Sequence, residues 1–290
     1  MHPVDTLGRA LASLRISVTD RCNLRCEYCM PEEEYTWLAR EHLLGFEEIC
    51  ALVEAFTDVG VAKVRLTGGE PLLRRGLPDL VARLAATPTL TDLSLTTNGV
   101  LLEASAESLR DAGLQRLNIS LDTLSPDRFI TLTRQDAHGR VLAGIELAAR
   151  CFGTVKIDAV VMRGVNDDEL EPLLDFGARL GVEVRFIEYM DVGGATRWAS
   201  GLVVTRQEIL ARLRARFGAV DTLPAPGSSA PADRFRLPDG RVFGVISSTT
   251  EPFCGACDRA RLTADGVLYT CLYGTDGLDL RAPLRAGTSR

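Results

Sequence analysis

The chain repeats one pattern six times, a short strand followed by an amphipathic helix. Between the strands, apolar residues recur at helical spacing, as in Phe46, Ile49, Val53 and Phe56. Strands that alternate with helices in this way form a parallel sheet with the helices packed on it. The predicted strands cover residues 14–19, 63–67, 93–97, 116–122, 155–161 and 182–189.

Alternate residues of each predicted strand point to opposite faces of the sheet. One face is apolar and is expected to pack against the helices. An eight-stranded barrel fills its interior with branched apolar side chains, whereas the second face here is polar and largely cationic. The pattern therefore predicts a partial (β/α)6 TIM-like barrel with a cavity for a polar, anionic ligand. The alternative, a face open to solvent, is rare in parallel sheets. The polar face carries Arg15, Ser17, Thr19, Lys63, Arg65, Thr67, Ser94, Thr96, Asn98, Arg116, Asn118, Ser120, Asp122, Lys156 and Asp158.

Three cysteines, Cys22, Cys26 and Cys29, follow the first predicted strand. Each iron of a four-iron cluster takes one thiolate, so three thiols at this spacing predict a [4Fe-4S] cluster with one iron left open. A zinc site is the alternative, but it usually takes four ligands in two separated pairs. A disulfide is less favoured, since nothing in the sequence indicates an oxidising compartment.

A second group of three cysteines, Cys254, Cys257 and Cys271, lies near the end of the sequence. His138 is the last histidine, so the nearest candidate for a fourth ligand is Asp258. Zinc held with that aspartate is the alternative reading. A second [4Fe-4S] cluster with an open iron is favoured, and two open clusters indicate one for each of two ligands.

Composition narrows the class of protein further. The formal net charge of −6 argues against general nucleic-acid binding, although a local basic pocket can exist within an acidic average. The sequence contains neither an apolar run of about 18 residues nor a secretory pattern at its start. A soluble, cytoplasmic protein without membrane or nucleic-acid partners is expected.

The pattern changes after the sixth strand. A helix is predicted over residues 205–217 with Thr205 as its cap, and hairpins are predicted around Asp239-Gly240 and Asp265-Gly266. We expect a barrel in residues 1–192. Residues 193–290 are expected to form a small α+β extension that carries the second cluster and helps to bind substrate.

Positive charge is concentrated on the predicted cavity. Guanidinium groups suit bidentate contacts to phosphate, and lysine suits a point charge, so this set favours a triphosphate ligand. Both lysines of the chain belong to it. The set comprises Arg15, Lys63, Arg65, Lys156, Arg185, Arg259 and Arg261.

Several motifs, taken in this order, resemble those of the GTP 3′,8-cyclases, a family of radical S-adenosylmethionine enzymes. The resemblance implies a deoxyadenosyl radical that removes hydrogen from C3′ of GTP, closure of C3′ onto C8 to give 3′,8-cyclo-7,8-dihydro-GTP, and the first step of molybdenum cofactor biosynthesis. The motifs are residues 14–23, Gly69-Glu70-Pro71-Leu72, Thr96-Thr97-Asn98-Gly99, residues 118–122, residues 185–191 and residues 253–262.

The resemblance also implies roles for single residues. Both clusters and S-adenosylmethionine carry the reaction, so no side chain is expected to act as a catalytic acid, base or nucleophile. Implied contacts to S-adenosylmethionine come from Tyr28, Gly69, Ser120 and Met190. Implied contacts to GTP come from Arg15, Lys63, Arg65, Thr96, Lys156, Arg185, Arg259, Ala260 and Arg261. The implied partners are a low-potential electron donor and the next enzyme, which forms cyclic pyranopterin, with the chain acting as a monomer or homodimer.

One departure from the family concerns the end of the sequence. Family members continue through a further helix to a Gly-Gly tail that assists catalysis, whereas this sequence ends at Arg290 without one. The clusters and the pocket are expected to form without the tail. Catalytic turnover is the property that loss of the tail would affect. Two alternatives stay open: a peptide-modifying radical enzyme, whose relatives usually carry more cysteines at this end, and a protein that binds nucleotide without converting it.

Overall fold

The computed structural model describes residues 3–32, 34–191, 198–225 and 229–287. The strands are β1 Ser13–Ser17, β2 Lys63–Thr67, β3 Asp92–Thr97, β4 Arg116–Ser120, β5 Val155–Val161, β6 Glu183–Glu188, β7 Asp221–Leu223, β8 Asp233–Arg236, β9 Val242–Ile246, β10 Arg259–Leu262, β11 Val267–Tyr269 and β12 Leu278–Asp279. The helices are α1 Phe46–Asp58, α2 Leu77–Ala85, α3 Ala106–Asp111, α4 Pro126–Thr133, α5 His138–Cys151, α6 Leu170–Leu180, α7 Arg206–Phe217 and α8 Arg281–Arg285.

Strands β1 to β6 lie side by side in chain order and are all parallel. Each matches a strand predicted from the sequence to within two residues at either end. The two outermost strands of the sheet, β12 and β7, do not pair with each other, so the barrel is open. The predicted partial barrel is therefore confirmed.

The C-terminal region extends this sheet at both edges. Strand β10 pairs parallel with β1, and β9 pairs parallel with β6, so eight neighbouring strands run in one direction. Beyond them, β11 with β12 and β8 with β7 continue the sheet antiparallel. Both predicted hairpins are present as β8–β9 and β10–β11. The sequence pattern did not indicate that they would join opposite edges of the barrel.

The apolar core lies between the outer face of the sheet and the helices. Every residue of the predicted apolar face is buried, from Leu14 and Ile16 on β1 to Ala159 on β5. Helix α7 begins at the predicted cap, where Thr205 and Glu208 each accept a hydrogen bond from the other's main-chain N–H. The predicted division between residues 192 and 193 lies outside the described residues and stays a prediction.

Candidate active site

The first cysteine group lies in the loop that follows the carboxyl end of β1. The main-chain N–H groups of Cys29 and Met30 both donate to the carbonyl of Cys26, at 3.0 and 2.8 Å, so the chain turns back on itself here. Cys22 and Cys26 are half-buried, and Cys29 is exposed. All eight cysteines of the chain are free thiols, which leaves these three available as ligands.

Hydrogen-bond donors face the sulfur of Cys22. The N–H of Leu24 lies 3.5 Å from Sγ, and Nδ2 of Asn98 lies 3.8 Å from it. Desolvation of the sulfur atoms raises the pKa of all three thiols, that of Cys29 included although the residue as a whole is exposed, because the thiolate is the form that loses hydration. A positively charged iron centre would reverse that preference, and N–H donors to sulfur are a usual feature of iron–sulfur sites. The loop therefore fits a four-iron cluster.

A structural site for one zinc ion would need its ligand side chains gathered around a single position. No group of three His, Cys, Asp or Glu side chains within residues 3–32, 34–191, 198–225 and 229–287 converges on one ion position. A four-iron cluster spreads its thiolates over different irons, so its ligands stand further apart than those of one zinc ion.

The glycine pair after β2 is required by packing against the cysteine loop. A Cβ on Gly68 would lie 2.6 Å from the carbonyl oxygen of Thr19, and a Cβ on Gly69 would lie 2.3 Å from that of Arg21. Main-chain N–H groups of Gly69 and Glu70 donate to those same two carbonyls at 2.8 Å. The Gly-Gly segment thus holds the loop of the first cluster against β2.

The carboxylate of Glu70 has no exposed surface. It accepts hydrogen bonds from Leu72 N, Thr97 Oγ1 and Asn98 N at 3.0, 2.7 and 2.7 Å. It therefore ties the end of β2 to the end of β3.

The residues expected to contact S-adenosylmethionine are gathered at the same end of the barrel. Gly69, Ser120 and Met190 lie at or just after the carboxyl ends of β2, β4 and β6. The hydroxyl of Tyr28 donates to Asp122 Oδ2 at 2.6 Å, just beyond β4. Parallel strands bring these ends to one edge of the sheet, which is where ligands bind in such folds.

Asp122 is a buried carboxylate to which the sequence assigned a place on the polar face but no contact or role. Its Oδ1 accepts from the N–H of Val160, and Nδ2 of Asn166 donates to its carbonyl. Burial raises the pKa of Asp122 to about 6, although the hydrogen bonds from Tyr28 and Val160 act in the opposite direction. The residue fixes the orientation of Tyr28 beside the first cysteine group.

The second cysteine group lies at the opposite end of the barrel. Cys254 begins a single helical turn, Cys254–Ala256, and Cys257 follows it two residues before the start of β10, which runs parallel to β1. Because β10 pairs antiparallel with β11, the chain returns towards the start of β10. Cys271 therefore lies near Arg261, and the charges of Cys257 and Cys271 both act to raise the pKa of Arg261. Arg259 donates to the sulfur of Cys257 at 3.4 Å. Three thiols with a sulfur-directed donor fit a second four-iron cluster.

A cavity of about 530 Å³ lies at this same end. Ser13, Lys63, Asp92, Arg116 and Glu183, which are the first residues of β1, β2, β3, β4 and β6, all line it. The cavity therefore opens at the amino ends of the strands. Of the residues expected to bind GTP, the cavity wall contains Arg15, Lys63, Arg65, Lys156, Arg185 and Arg259.

Three guanidinium groups form a row across neighbouring strands. Arg15 on β1 is in register with Arg261 on β10 and with Arg65 on β2. Burial is the main cause that lowers the pKa of Arg15, to about 9, and the neighbouring arginines lower it further. Burial also lowers the pKa of Arg65 and Arg261. An anion in the cavity would stabilise all three.

Three of the residues expected to bind GTP are not part of the cavity wall: Arg261, which is in register with Arg15, and Ala260 and Thr96. The side chain of Ala260 is 1% exposed and belongs to the apolar core, so only its main chain can reach a ligand. Thr96 lies on β3 in register with Asn118 and therefore stands between the two ends of the barrel. Asn118 donates to Asp158 Oδ2 at 2.7 Å, while Oδ1 of that aspartate is buried without a partner in the described part of the chain.

Two further cations of the cavity wall were not expected from the sequence to contact the ligand. Arg116 forms a bidentate pair with Asp92, and Arg234 on β8 pairs with Glu183. Arg116 belongs to the polar face that the parity of β4 predicts. Arg234 reaches the cavity only because β8 joins the sheet through β9, which no local pattern indicates.

A partial barrel with a three-cysteine loop after its first strand defines the class of radical S-adenosylmethionine proteins. A model of the radical SAM superfamily matches residues 16–177, and one described as Molybdenum Cofactor Synthesis C matches residues 182–290. The crystal structure of Streptococcus suis SuiB bound to S-adenosylmethionine is similar with a TM-score of 0.68 at 14% identity. That likeness covers 93% of this chain and 63% of SuiB and shows the fold alone.

Sequence identity to curated relatives identifies the family within this class. GTP 3′,8-cyclase 1 of Mycobacterium tuberculosis (strain ATCC 25618 / H37Rv) is 53% identical over 290 residues, which cover 98% of this chain and 80% of the relative. GTP 3′,8-cyclase of Streptomyces coelicolor is 50% identical, with 98% of this chain and 84% of the relative covered. The chain therefore belongs to the GTP 3′,8-cyclase family. No helix within the described residues is long and apolar enough to cross a membrane.

Proposed function

We propose that the chain converts GTP to 3′,8-cyclo-7,8-dihydro-GTP in a reaction that depends on S-adenosylmethionine, as the first step of molybdenum cofactor biosynthesis. One observation carries the proposal: a cationic cavity lies inside a barrel that has a three-cysteine group at each end. The family's named activity on GTP supplies the substrate. The triphosphate of GTP would neutralise the positive charges of the cavity, which are unfavourable to bury without a counter-charge.

The first cysteine group would hold one [4Fe-4S] cluster through Cys22, Cys26 and Cys29. When bound, this cluster and S-adenosylmethionine supply the one-electron chemistry that removes hydrogen from C3′ of the ribose, after which C3′ bonds to C8 of guanine. Residues at the carboxyl ends of the strands would position the cofactor. These are Tyr28, Gly69, Ser120 and Met190.

The second cluster, on Cys254, Cys257 and Cys271, would hold the guanine base close to Arg259 and Arg261. The ribose would then lie along the barrel axis beside Thr96, between the two cysteine groups. Guanidinium and ammonium groups of the cavity would bind the triphosphate and exclude water from the reacting carbons. These groups belong to Arg15, Lys63, Arg65, Lys156 and Arg185, with the main chain of Ala260 next to the base.

Two partners complete the proposed function. A low-potential electron donor would reduce the first cluster, and the enzyme that forms cyclic pyranopterin would take the cyclised nucleotide. Action in the cytoplasm, as a monomer or homodimer, stays a prediction.

An anaerobic assay tests the proposal. Protein reconstituted with iron and sulfide is given dithionite and S-adenosylmethionine, and 5′-deoxyadenosine and nucleotide products are quantified with and without GTP. We expect deoxyadenosine formation that depends on GTP, together with a cyclised nucleotide. Deoxyadenosine without any nucleotide product would contradict the proposed substrate.

A further inference from the structure

Glu183 places one carboxylate among three cations in the wall of the cavity. Its Oε1 accepts from Nε of Arg185 at 2.9 Å and lies 3.7 Å from Nζ of Lys156. Its Oε2 lies 3.0 and 2.9 Å from Nε and a terminal nitrogen of Arg234. The side chain is only 13% exposed, so these ion pairs are partly shielded from water.

The cavity wall that contains this carboxylate also contains Asp258 and Arg259, and Arg259 donates to the sulfur of Cys257. Ser229, just before β8, donates to Asp258 Oδ2 at 2.6 Å. Glu183 begins β6, and Arg234 lies on β8, near one edge of the sheet. Cys257 and Arg259 lie at β10, on the other side of β1. If the base is held at the second cluster, as the proposed function states, the triphosphate extends from there towards the wall formed by β5, β6 and β8.

Exposure ranks the three cations that Glu183 contacts. The side chains of Arg185 and Lys156 are 10% and 16% exposed, whereas that of Arg234 is 48% exposed. The two deeper cations lie on barrel strands, while Arg234 reaches in from the extension. A chain of phosphates at this wall would therefore have Arg185 and Lys156 on its enclosed side and Arg234 on the side that is open to solvent.

We propose that Arg234 binds the terminal phosphate of the nucleotide and so distinguishes a nucleoside triphosphate from a diphosphate, and that Glu183 occupies the position of that phosphate in the nucleotide-free protein. A planar guanidinium can exchange a carboxylate partner for a phosphate partner without changing its own geometry. Glu183 holds the cations in place before the ligand arrives, and it competes with the phosphate for them. The inference rests on the proposed function for the orientation of GTP.

Equilibrium dialysis under anaerobic conditions tests this assignment. Reconstituted protein with both clusters is titrated with GTP and with GDP, and the ratio of the two dissociation constants is compared between the wild type and Arg234→Gln. We expect the variant to bind GTP about tenfold more weakly, the loss typical of one hydrogen-bonded charge contact, and to bind GDP within about twofold of the wild type. The ratio should therefore fall towards one.

Arg241→Gln is the matched control. Arg241 pairs with Asp175 and Asp239 away from this cavity, so the variant loses the same charge without losing the proposed contact. It should keep the wild-type ratio. Glu183→Gln should bind GTP more tightly than the wild type, because the competing carboxylate is gone.

The outcomes separate the two proposals. Equal weakening of GTP and GDP by Arg234→Gln, or no weakening, would overturn the assignment of Arg234. Unchanged or weaker GTP binding by Glu183→Gln would overturn the competition. Wild-type protein that binds neither nucleotide would instead contradict the proposed function itself.

Discussion

Arg15 and Arg261 stand directly opposite each other on the parallel strands β1 and β10. Arg65 occupies the corresponding position on the other side of Arg15. Arginine stays protonated at neutral pH, so three like charges share one face of the barrel there. Like charges on neighbouring strands are destabilising, which makes the cavity unfavourable until an anion fills it.

Replacing Arg15 by methionine should change stability and nucleotide affinity in opposite directions. The variant keeps an aliphatic side chain and removes the central charge of the row, so the nucleotide-free protein should gain about 1 kcal/mol of unfolding free energy. Its affinity for GTP should fall by at least about tenfold. Denaturant unfolding and equilibrium dialysis measure the two effects. Arg83→Met, which removes an exposed partner of Glu47, should change neither by a comparable amount.

The contact between Gly69 and the first cysteine loop gives a second prediction. An alanine at this position would place its Cβ 2.3 Å from the carbonyl oxygen of Arg21, so loop and strand would have to separate. We expect Gly69→Ala to lose the first cluster and with it the cleavage of S-adenosylmethionine. Iron content should fall from about eight to about four per chain, because each cluster carries four irons.

Gly139→Ala serves as the control for this substitution. Gly139 lies in α5, and an added Cβ would meet no atom within 4 Å. The control should keep both clusters and gain up to about 1 kcal/mol from helix propensity. Full iron content in Gly69→Ala would show that the close packing of these two segments does not matter for the cluster.

Much of the barrel follows from the alternation of residues along the strands. Apolar and polar residues alternate along β1, where Leu14, Ile16 and Val18 are separated by Arg15, Ser17 and Thr19. The sequence of this one strand therefore predicts which face of the sheet is buried and which is polar. Spacing alone likewise identified both cysteine groups. These signals are local, and the period of a strand transmits them directly to the structure.

Other features depend on pairing between distant segments. Nothing near Arg259 or Val242 indicates that β10 and β9 join opposite edges of the barrel in parallel. The burial of Glu70 and the role of Asp122 likewise depend on contacts with β3, β5 and the cysteine loop. Such partners are fixed by the assembled sheet, and a single sequence does not encode them in a local period.

Asp122 gives a prediction about pH. Its pKa is raised from 3.8 to about 6, so between these values the folded chain binds a proton that the unfolded chain has released. The wild type therefore loses stability relative to Asp122→Asn as pH rises through this window. Between pH 5 and pH 7.5 the difference should grow by about 1 kcal/mol, as linkage requires. Urea unfolding of cluster-free protein at both pH values measures it. A constant difference would contradict the raised pKa.

The two cysteine groups should fail in different ways. Cys22→Ala is expected to abolish cleavage of S-adenosylmethionine, because the first cluster supplies its electron. Cys271→Ala should leave cleavage intact but uncoupled, so that deoxyadenosine forms while no cyclised nucleotide appears. Each variant should retain about four irons per chain.

Cys50 provides the matched control, since it is a half-buried thiol in α1 outside both groups. Cys50→Ala should keep about eight irons and full coupling. Persistent cleavage in Cys22→Ala would mean that the cluster at β1 is not the one that reduces the sulfonium. Normal cyclisation by Cys271→Ala would mean that the second cluster neither binds nor orients the base, and the cavity would then have to hold GTP through its arginines alone.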